Sequence, residues 1–212
     1  CLRAAAIGDV LHVDAGGELE HLGREINQAM TRYIADWLSI PEKHAHDLRE
    51  HYWRRYGATL KGLVRHHGVD ERHFLWHTHQ FPDLASMLRR EQGLRSSLGR
   101  LPGRKVILTN APLHYAQMVL SLLRIDGYFS AVYAIESVGY RPKPDPHGFL
   151  TVLRTQRVRA ARQAIVVDDT LANLRAAKTL GMRTIWISPQ AKRPDYVDFT
   201  AKNVARICNS FS

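Results

Sequence analysis

Two adjacent aspartates, Asp168 and Asp169, close the apolar run Ala164-Ile165-Val166-Val167. Carboxylates side by side repel unless a cation lies between them or one is protonated. Magnesium is the natural partner, because it takes oxygen ligands and keeps waters and substrate phosphate oxygens in its shell. The plainer alternative is that one of the two caps the helix that Thr170 begins. Lys143 lies in Arg141-Pro142-Lys143-Pro144-Asp145-Pro146, where stiff backbone fixes an ammonium that could hold a phosphate and offset the carboxylates. Thr109-Asn110, just ahead of Pro112, offers a hydroxyl and an amide beside the N–H groups of a starting helix, a set that could cradle phosphate oxygens or simply cap the turn. Asp9 and Asp14 follow the first apolar run of the chain.

These residues can act together only if the fold gathers them. In open parallel sheets the ligand site lies beyond the carboxyl ends of the strands, and each candidate directly follows a short apolar run. Five such runs read as buried strands: residues 2–10, 105–111, 130–137, 163–168 and 183–188. Helix-period patterns alternate with the later ones, over 113–123 (ending near Gly127), 146–155 and 171–180, the last stopping at Gly181. The alternation predicts an α/β fold with a Rossmann-like, doubly wound parallel sheet. Residues 15–98 differ. They carry helix-period apolar positions (Ile26, Met30, Tyr33, Ile34, Trp37) and helix breaks at Pro41, Gly57, Gly68 and Pro82, so an all-helical insertion is expected between a core of 1–14 and 99–212.

The 212 residues, 45% hydrophobic and 24% charged, suit one globular domain with an insertion and exclude a disordered or fibrous chain. No apolar run approaches the roughly 18 residues of a membrane span, and only two cysteines, Cys1 and Cys208, are present. A soluble protein of the reducing cytoplasm is expected. Of the net charge of +10, residues 101–212 carry 16 basic against 7 acidic side chains and residues 1–100 carry 14 against 13. No nucleic-acid-binding motif accompanies that bias, so nucleic acid is not the expected partner. A homo-oligomer is compatible with the chain without being indicated by it. Eight of the twelve histidines fall between His44 and His79, but the spacings of His44/His46, His66-His67 and His77/His79 do not put two imidazoles on one helix face, so zinc is not expected. Trp53, Tyr56, Phe74 and Trp76 read as packing for the helices, although one aromatic could stack on a base.

The ordered set Val106-Ile107-Leu108-Thr109-Asn110-Ala111, Arg141-Pro142-Lys143-Pro144-Asp145 and Val166-Val167-Asp168-Asp169-Thr170 with Asn173 resembles the second, third and fourth motifs of the haloacid dehalogenase (HAD) superfamily of phosphohydrolases. Within it, Thr109-Asn110-Ala111-Pro112 and the segment Tyr52-Trp53-Arg54-Arg55-Tyr56-Gly57 with Gly62-Leu63 resemble the pyrimidine 5′-nucleotidase type. The resemblance implies an aspartate that attacks phosphorus to form an aspartyl-phosphate, a magnesium ion, and a second aspartate two residues on as acid and base. Carried onto this sequence, Asp9 is the nucleophile and a metal ligand, and Thr109, Asn110 and Lys143 hold the phosphoryl group. Asp169 is the main metal ligand, supported by Asp168 and Asn173. The substrate is a small phosphorylated metabolite, best matched by a pyrimidine nucleoside 5′-monophosphate, over which the helical cap closes.

The first motif departs from the expected Asp-x-Asp-x-Thr. This chain reads Ile7-Gly8-Asp9-Val10-Leu11-His12-Val13-Asp14, and ungapped alignment puts Gly8 and Val10 at the two aspartate positions. Three accounts stand side by side. Asp9 acts as a displaced nucleophile without a partnered acid, at a cost of about two to four powers of ten; the protein binds magnesium and nucleotide without turnover; or a frameshift altered a chain that begins with Cys rather than Met. A metal-free dehalogenase of the same fold would gain nothing from the adjacent carboxylates Asp168 and Asp169.

Overall fold

The computed structural model describes residues 4–7, 18–88, 92–190 and 192–211, with side chains from 23 to 207 within those ranges. Asp9 and Asp14 lie outside the described residues. The chain forms two compact units, Gly17–Met87 and the remainder, Cys1–Gly16 with Leu88–Ser212.

The smaller unit is helical: α1 (Glu18–Leu38), α2 (Glu42–Tyr56), α3 (Thr59–His67), α4 (Glu71–Thr78) and α5 (Leu84–Met87). Its breaks follow from local chemistry. Gly57 (φ 75°) and Gly68 (φ 62°) end α2 and α3 in the left-handed conformation that costs glycine nothing, and the Asp70 carboxylate caps α4 by accepting from His73 N at 2.7 Å. Ile34, Ala45, Tyr52, Leu63, Phe74 and Leu84 form its core. Trp37, expected on the buried stripe of α1, is instead 45% exposed and stacks on Tyr33, and Trp53 and Trp76, expected as packing, are likewise exposed. Gly62 has a steric task, since a Cβ there would meet the Tyr52 ring at 2.2 Å. The segment Tyr52 to Leu63 is therefore a tightly closed α2–α3 hairpin, and Tyr52, its hydroxyl pKa pushed up first by burial and then by Tyr56, shares a 2.8 Å hydrogen bond with His67 Nε2.

The sequence placed the end of the insertion near residue 98, but α6 (Leu94–Arg100) belongs to the larger unit. Its buried Leu94, Ser97 and Leu98 pack on the C-terminal 3-10 turn Val204–Phe211, where Ser97 Oγ donates to Val204 O.

In the larger unit β1 (Ala4–Ile7), β2 (Arg104–Leu108), β3 (Ala131–Tyr133), β4 (Ala164–Asp168), β5 (Arg183–Ile187) and β6 (Phe199–Ala201) form one parallel sheet in the order β3-β2-β1-β4-β5-β6. Unbroken apolar sequence is what a parallel strand covered on both faces requires, and every residue of β4 is buried. β6 escaped the sequence reading because Phe-Thr-Ala is too short to form an apolar run; it pairs Ile185 with Phe199. The run 130–137 holds only three strand residues before it turns into the 3-10 segment Ile135–Val138. Ile7 lies opposite both Ile107 and Val167, so the chain order reverses beside β1. That reversal is the switch point at which open α/β sheets bind ligands.

The helices α7 (Leu113–Leu123), α8 (Pro146–Thr155) and α9 (Leu171–Thr179) connect these strands. α7 buries Tyr115, Ala116, Val119, Leu120 and Leu123 at helical spacing and ends on Arg124 (φ 57°), ahead of Gly127, which falls in the 3-10 turn Asp126–Tyr128. On the far side, Asp198 accepts from Lys178 Nζ at 2.6 Å and from Thr184 N at 2.8 Å, tying α9 to β5.

Two stability changes follow. Gly62→Ala should lower stability by about 2 kcal/mol through overpacking against Tyr52, whereas Gly23→Ala, with nothing within 4 Å of its added methyl, should gain up to about 1 kcal/mol of helix propensity; urea unfolding measures both. Burial pulls the Asp198 carboxyl upward, but hydrogen bonds from Lys178 and Thr184 outweigh it and hold it below the usual carboxylate range. Its contribution is therefore complete above the ordinary aspartate value and lost as pH falls through the lower folded one. Asp198→Asn should cost about 1 kcal/mol at pH 7, with the gap to the unaltered chain closing below about pH 4.

Candidate active site at the strand ends

The carboxyl ends of β2 and β4, the loop between β3 and α8 and the start of α9 bring Asn110, Lys143, Asp168, Asp169 and Asn173 into one hydrogen-bonded network, with Thr109 next to Asn110 at the end of β2. At its centre Lys143 Nζ lies 2.9 Å from Asp168 Oδ2, with the two side chains 2% and 0% exposed. Asp168 Oδ1 accepts from Thr170 N at 2.9 Å and from Asn173 Nδ2 at 3.1 Å. The sequence grouped Asp168 and Asn173 with the metal ligands. Here the Lys143 ammonium stands beside Asp168 Oδ2, and Asn173 orients the carboxylate through Oδ1.

Asp169 is placed differently. It is exposed; its Oδ1 accepts from Thr170 Oγ1 at 3.1 Å, and its backbone carbonyl accepts from the indole N–H of buried Trp186 at 2.9 Å. The peptide is fixed while the carboxylate faces outward, the arrangement a hard cation with oxygen ligands can use. Trp186 was not among the sequence candidates; its place on β5, in register with Asp168, explains its role.

Lys143 is positioned by Asn110, expected as a phosphate ligand. The Asn110 side-chain oxygen accepts from Lys143 N at 2.7 Å and its amide nitrogen donates to Lys143 O at 3.1 Å, clamping one residue at both backbone groups. Arg141 and Asp145 brace the same loop, Nε to Oδ2 and Nη2 to Oδ1 at 3.1 Å each, and Asp145 also caps α8 through His147 N. Burial raises the Asp145 pKa, but the His147 amide and the Arg141 guanidinium together hold it below the usual carboxylate range. The Lys143–Pro144 peptide is cis.

Thr109 is 5% exposed. Its hydroxyl oxygen accepts from Ala111 N at 3.0 Å, which leaves its O–H to donate. The start of α7 is less open than the sequence suggested, because Glu136 accepts from Leu113 N with both carboxylate oxygens at 3.2 Å. Among the described residues no group of three His, Cys, Asp or Glu is arranged to hold a metal. Three histidines of the helical unit pair with tyrosine hydroxyls: His66 with Tyr56, His67 with Tyr52 and His73 with Tyr33, the last at 2.8 Å. His73 and His77, at i and i+4 with ring centroids 4.2 Å apart, are the same-face pair that the sequence analysis overlooked.

A parallel sheet whose strand ends offer an outward carboxylate, an inserted lysine and a donor hydroxyl is a hydrolase layout of the α/β class. Residues 4–181 match the haloacid dehalogenase-like hydrolase family, and the chain belongs to it. It is 25% identical over 174 residues to Phosphate metabolism protein 8 of Saccharomyces cerevisiae, covering 74% of this chain and 53% of that protein; it thus spans about half the length of this curated relative. Its fold is similar to that of a HAD phosphatase from Thermococcus onnurineus (TM-score 0.64, 18% identity, 99% of this chain and 98% of that one). It is also similar to a HAD-type hydrolase of Bacillus subtilis bound to magnesium (TM-score 0.59, 17% identity, 98% and 97%). No helix among the described residues is long and apolar enough to cross a membrane.

Removing one partner of a buried ion pair strands the other charge, which costs about 3–5 kcal/mol. Asp168→Leu and Lys143→Met should each approach that loss in urea unfolding, and Lys143→Met/Asp168→Leu should lose less than the sum of the two single changes. Additive losses would show that the pair is not coupled.

Proposed function

We propose that this chain is a magnesium-dependent phosphohydrolase acting on a small phosphorylated metabolite, best matched by a pyrimidine nucleoside 5′-monophosphate. The observation that carries the reading is the buried Lys143–Asp168 pair beside the outward carboxylate of Asp169. A lysine held by its own counter-ion keeps a fixed position at the strand ends, where a phosphoryl group brings further negative charge. Thr109 donates its hydroxyl to a phosphoryl oxygen; Asp9 attacks phosphorus as the bond to the ester oxygen of the substrate breaks, that oxygen leaving as an alcohol with a proton taken from water, and a second water hydrolyses the aspartyl-phosphate to free Asp9 and inorganic phosphate. Asp169 and Asp9 offer the hard oxygens that fit magnesium, which when bound supplies neutralisation of the phosphoryl charge. The magnesium-bound Bacillus subtilis structure and the name of the yeast relative support the same chemistry.

A second reading rests on the sequence of the first motif, in which Gly8 and Val10 stand where two aspartates are expected. In that reading the fold binds magnesium and nucleotide without turning it over. One assay decides between them: phosphate release from CMP, UMP, AMP and p-nitrophenyl phosphate, with magnesium or EDTA, by the unaltered chain, Asp9→Asn and Asp169→Asn. The expected result is magnesium-dependent release, fastest with CMP or UMP, abolished in Asp9→Asn and lowered about a hundredfold in Asp169→Asn. Thermal stabilisation by magnesium plus CMP without release would establish the binding-only reading. Neither release nor stabilisation would remove both.

A further inference from the structure

The helical unit contains a cleft of about 540 Å³ between α1 and α2, within the size range of small-molecule sites. Arg24, Arg32, Lys43 and Arg49 line it together with His46, against one carboxylate, Glu42. Four full positive charges around a concavity raise the local concentration of anions. Two of these cations are not neutralised by their neighbours, since Arg32 and Lys43 make no ion pair among the described residues, whereas Arg49 is paired with Glu50.

Arg49 is the buried member of the lining, 7% exposed. Its Nη1 donates to Asn27 Oδ1 at 2.8 Å and its Nη2 to Glu50 Oε1 at 2.6 Å, while Thr59 Oγ1 donates to its backbone carbonyl. Its Nε is buried without a partner. An unsatisfied buried donor costs about 1–3 kcal/mol, so a leucine or methionine would serve packing better. What the arginine supplies is a planar cation already fixed in place, whose side-chain ordering has been completed before any ligand arrives.

We propose that this cleft is an anion site of the helical unit that takes a phosphate dianion, either free or carried by a small organic molecule. Arg49 and Asn27 fix the direction of approach, and Arg32 and Lys43 add charge from exposed positions. Every lining residue lies within Gly17–Met87.

Inorganic phosphate and pyrophosphate are titrated into the full chain while the Arg49 Nε–H and His46 ring resonances are followed, which isolates this cleft from phosphate bound elsewhere. Saturable shifts of both are expected, with affinity about tenfold weaker, or 1.4 kcal/mol, in Arg32→Gln/Lys43→Gln. That variant changes only exposed positions, and its unliganded melting temperature should be unchanged. Hydrolysis then separates the two sources of the anion. A substrate with a second phosphate whose KM rises about tenfold in the double variant places part of the substrate in the cleft; unchanged KM with binding still weakened makes the ligand a separate anion. If neither anion shifts Arg49 and His46, or the double variant binds as tightly as the unaltered chain, the cleft is not an anion site.

Discussion

The strand-end site depends on one buried ion pair. A lysine and an aspartate removed from water lose several kcal/mol of solvation each, which their attraction repays only if the remaining hydrogen-bonding capacity is filled. Here Thr170 N and Asn173 donate to Asp168, and Asn110 fixes the backbone that carries the lysine. The pair also separates the roles of two chemically identical neighbours. Asp168 turns inward to meet Lys143 and Asp169 is left outward, so a one-residue step along the end of β4 distinguishes a positioning carboxylate from one available to a cation.

Much of this was legible in the sequence because it obeys short-range rules. The runs before Thr109 and Asp168 had to be strands, since unbroken β-branched residues suit a sheet covered on both faces, and α7 and α8 span the residues that their periodicity and Pro146 indicate. What the sequence could not show is who partners whom. Lys143, expected to offset the carboxylates, pairs with Asp168 across 25 positions, but the sequence did not show which of the two aspartates it would meet. Asn110 looked like a phosphate ligand because amides donate; its clamp on Lys143 closes across 33 positions. Trp186 and Glu136 left no local signal, because each acts through a neighbour brought close only by the sheet or by a turn. Asp9 lies outside the described residues, so the first motif rests on sequence alone.

Charge shows the same limit. Residues 101–212 hold the basic excess, yet the cationic cleft lies in the near-neutral half. A linear count averages over faces. The packing of α1 on α2 brings Arg24, Arg32, Lys43 and Arg49 around one groove.

The indole of Trp186 has a practical consequence. It is the one tryptophan of the larger unit; Trp37, Trp53 and Trp76 are all in the helical unit and solvent-facing. Its ring is enclosed and its N–H is bonded to the carbonyl of Asp169. Its fluorescence is therefore emitted to the blue of the other three, from a chromophore attached to the backbone of the outward carboxylate, which makes the protein carry its own optical reporter of events at the strand ends.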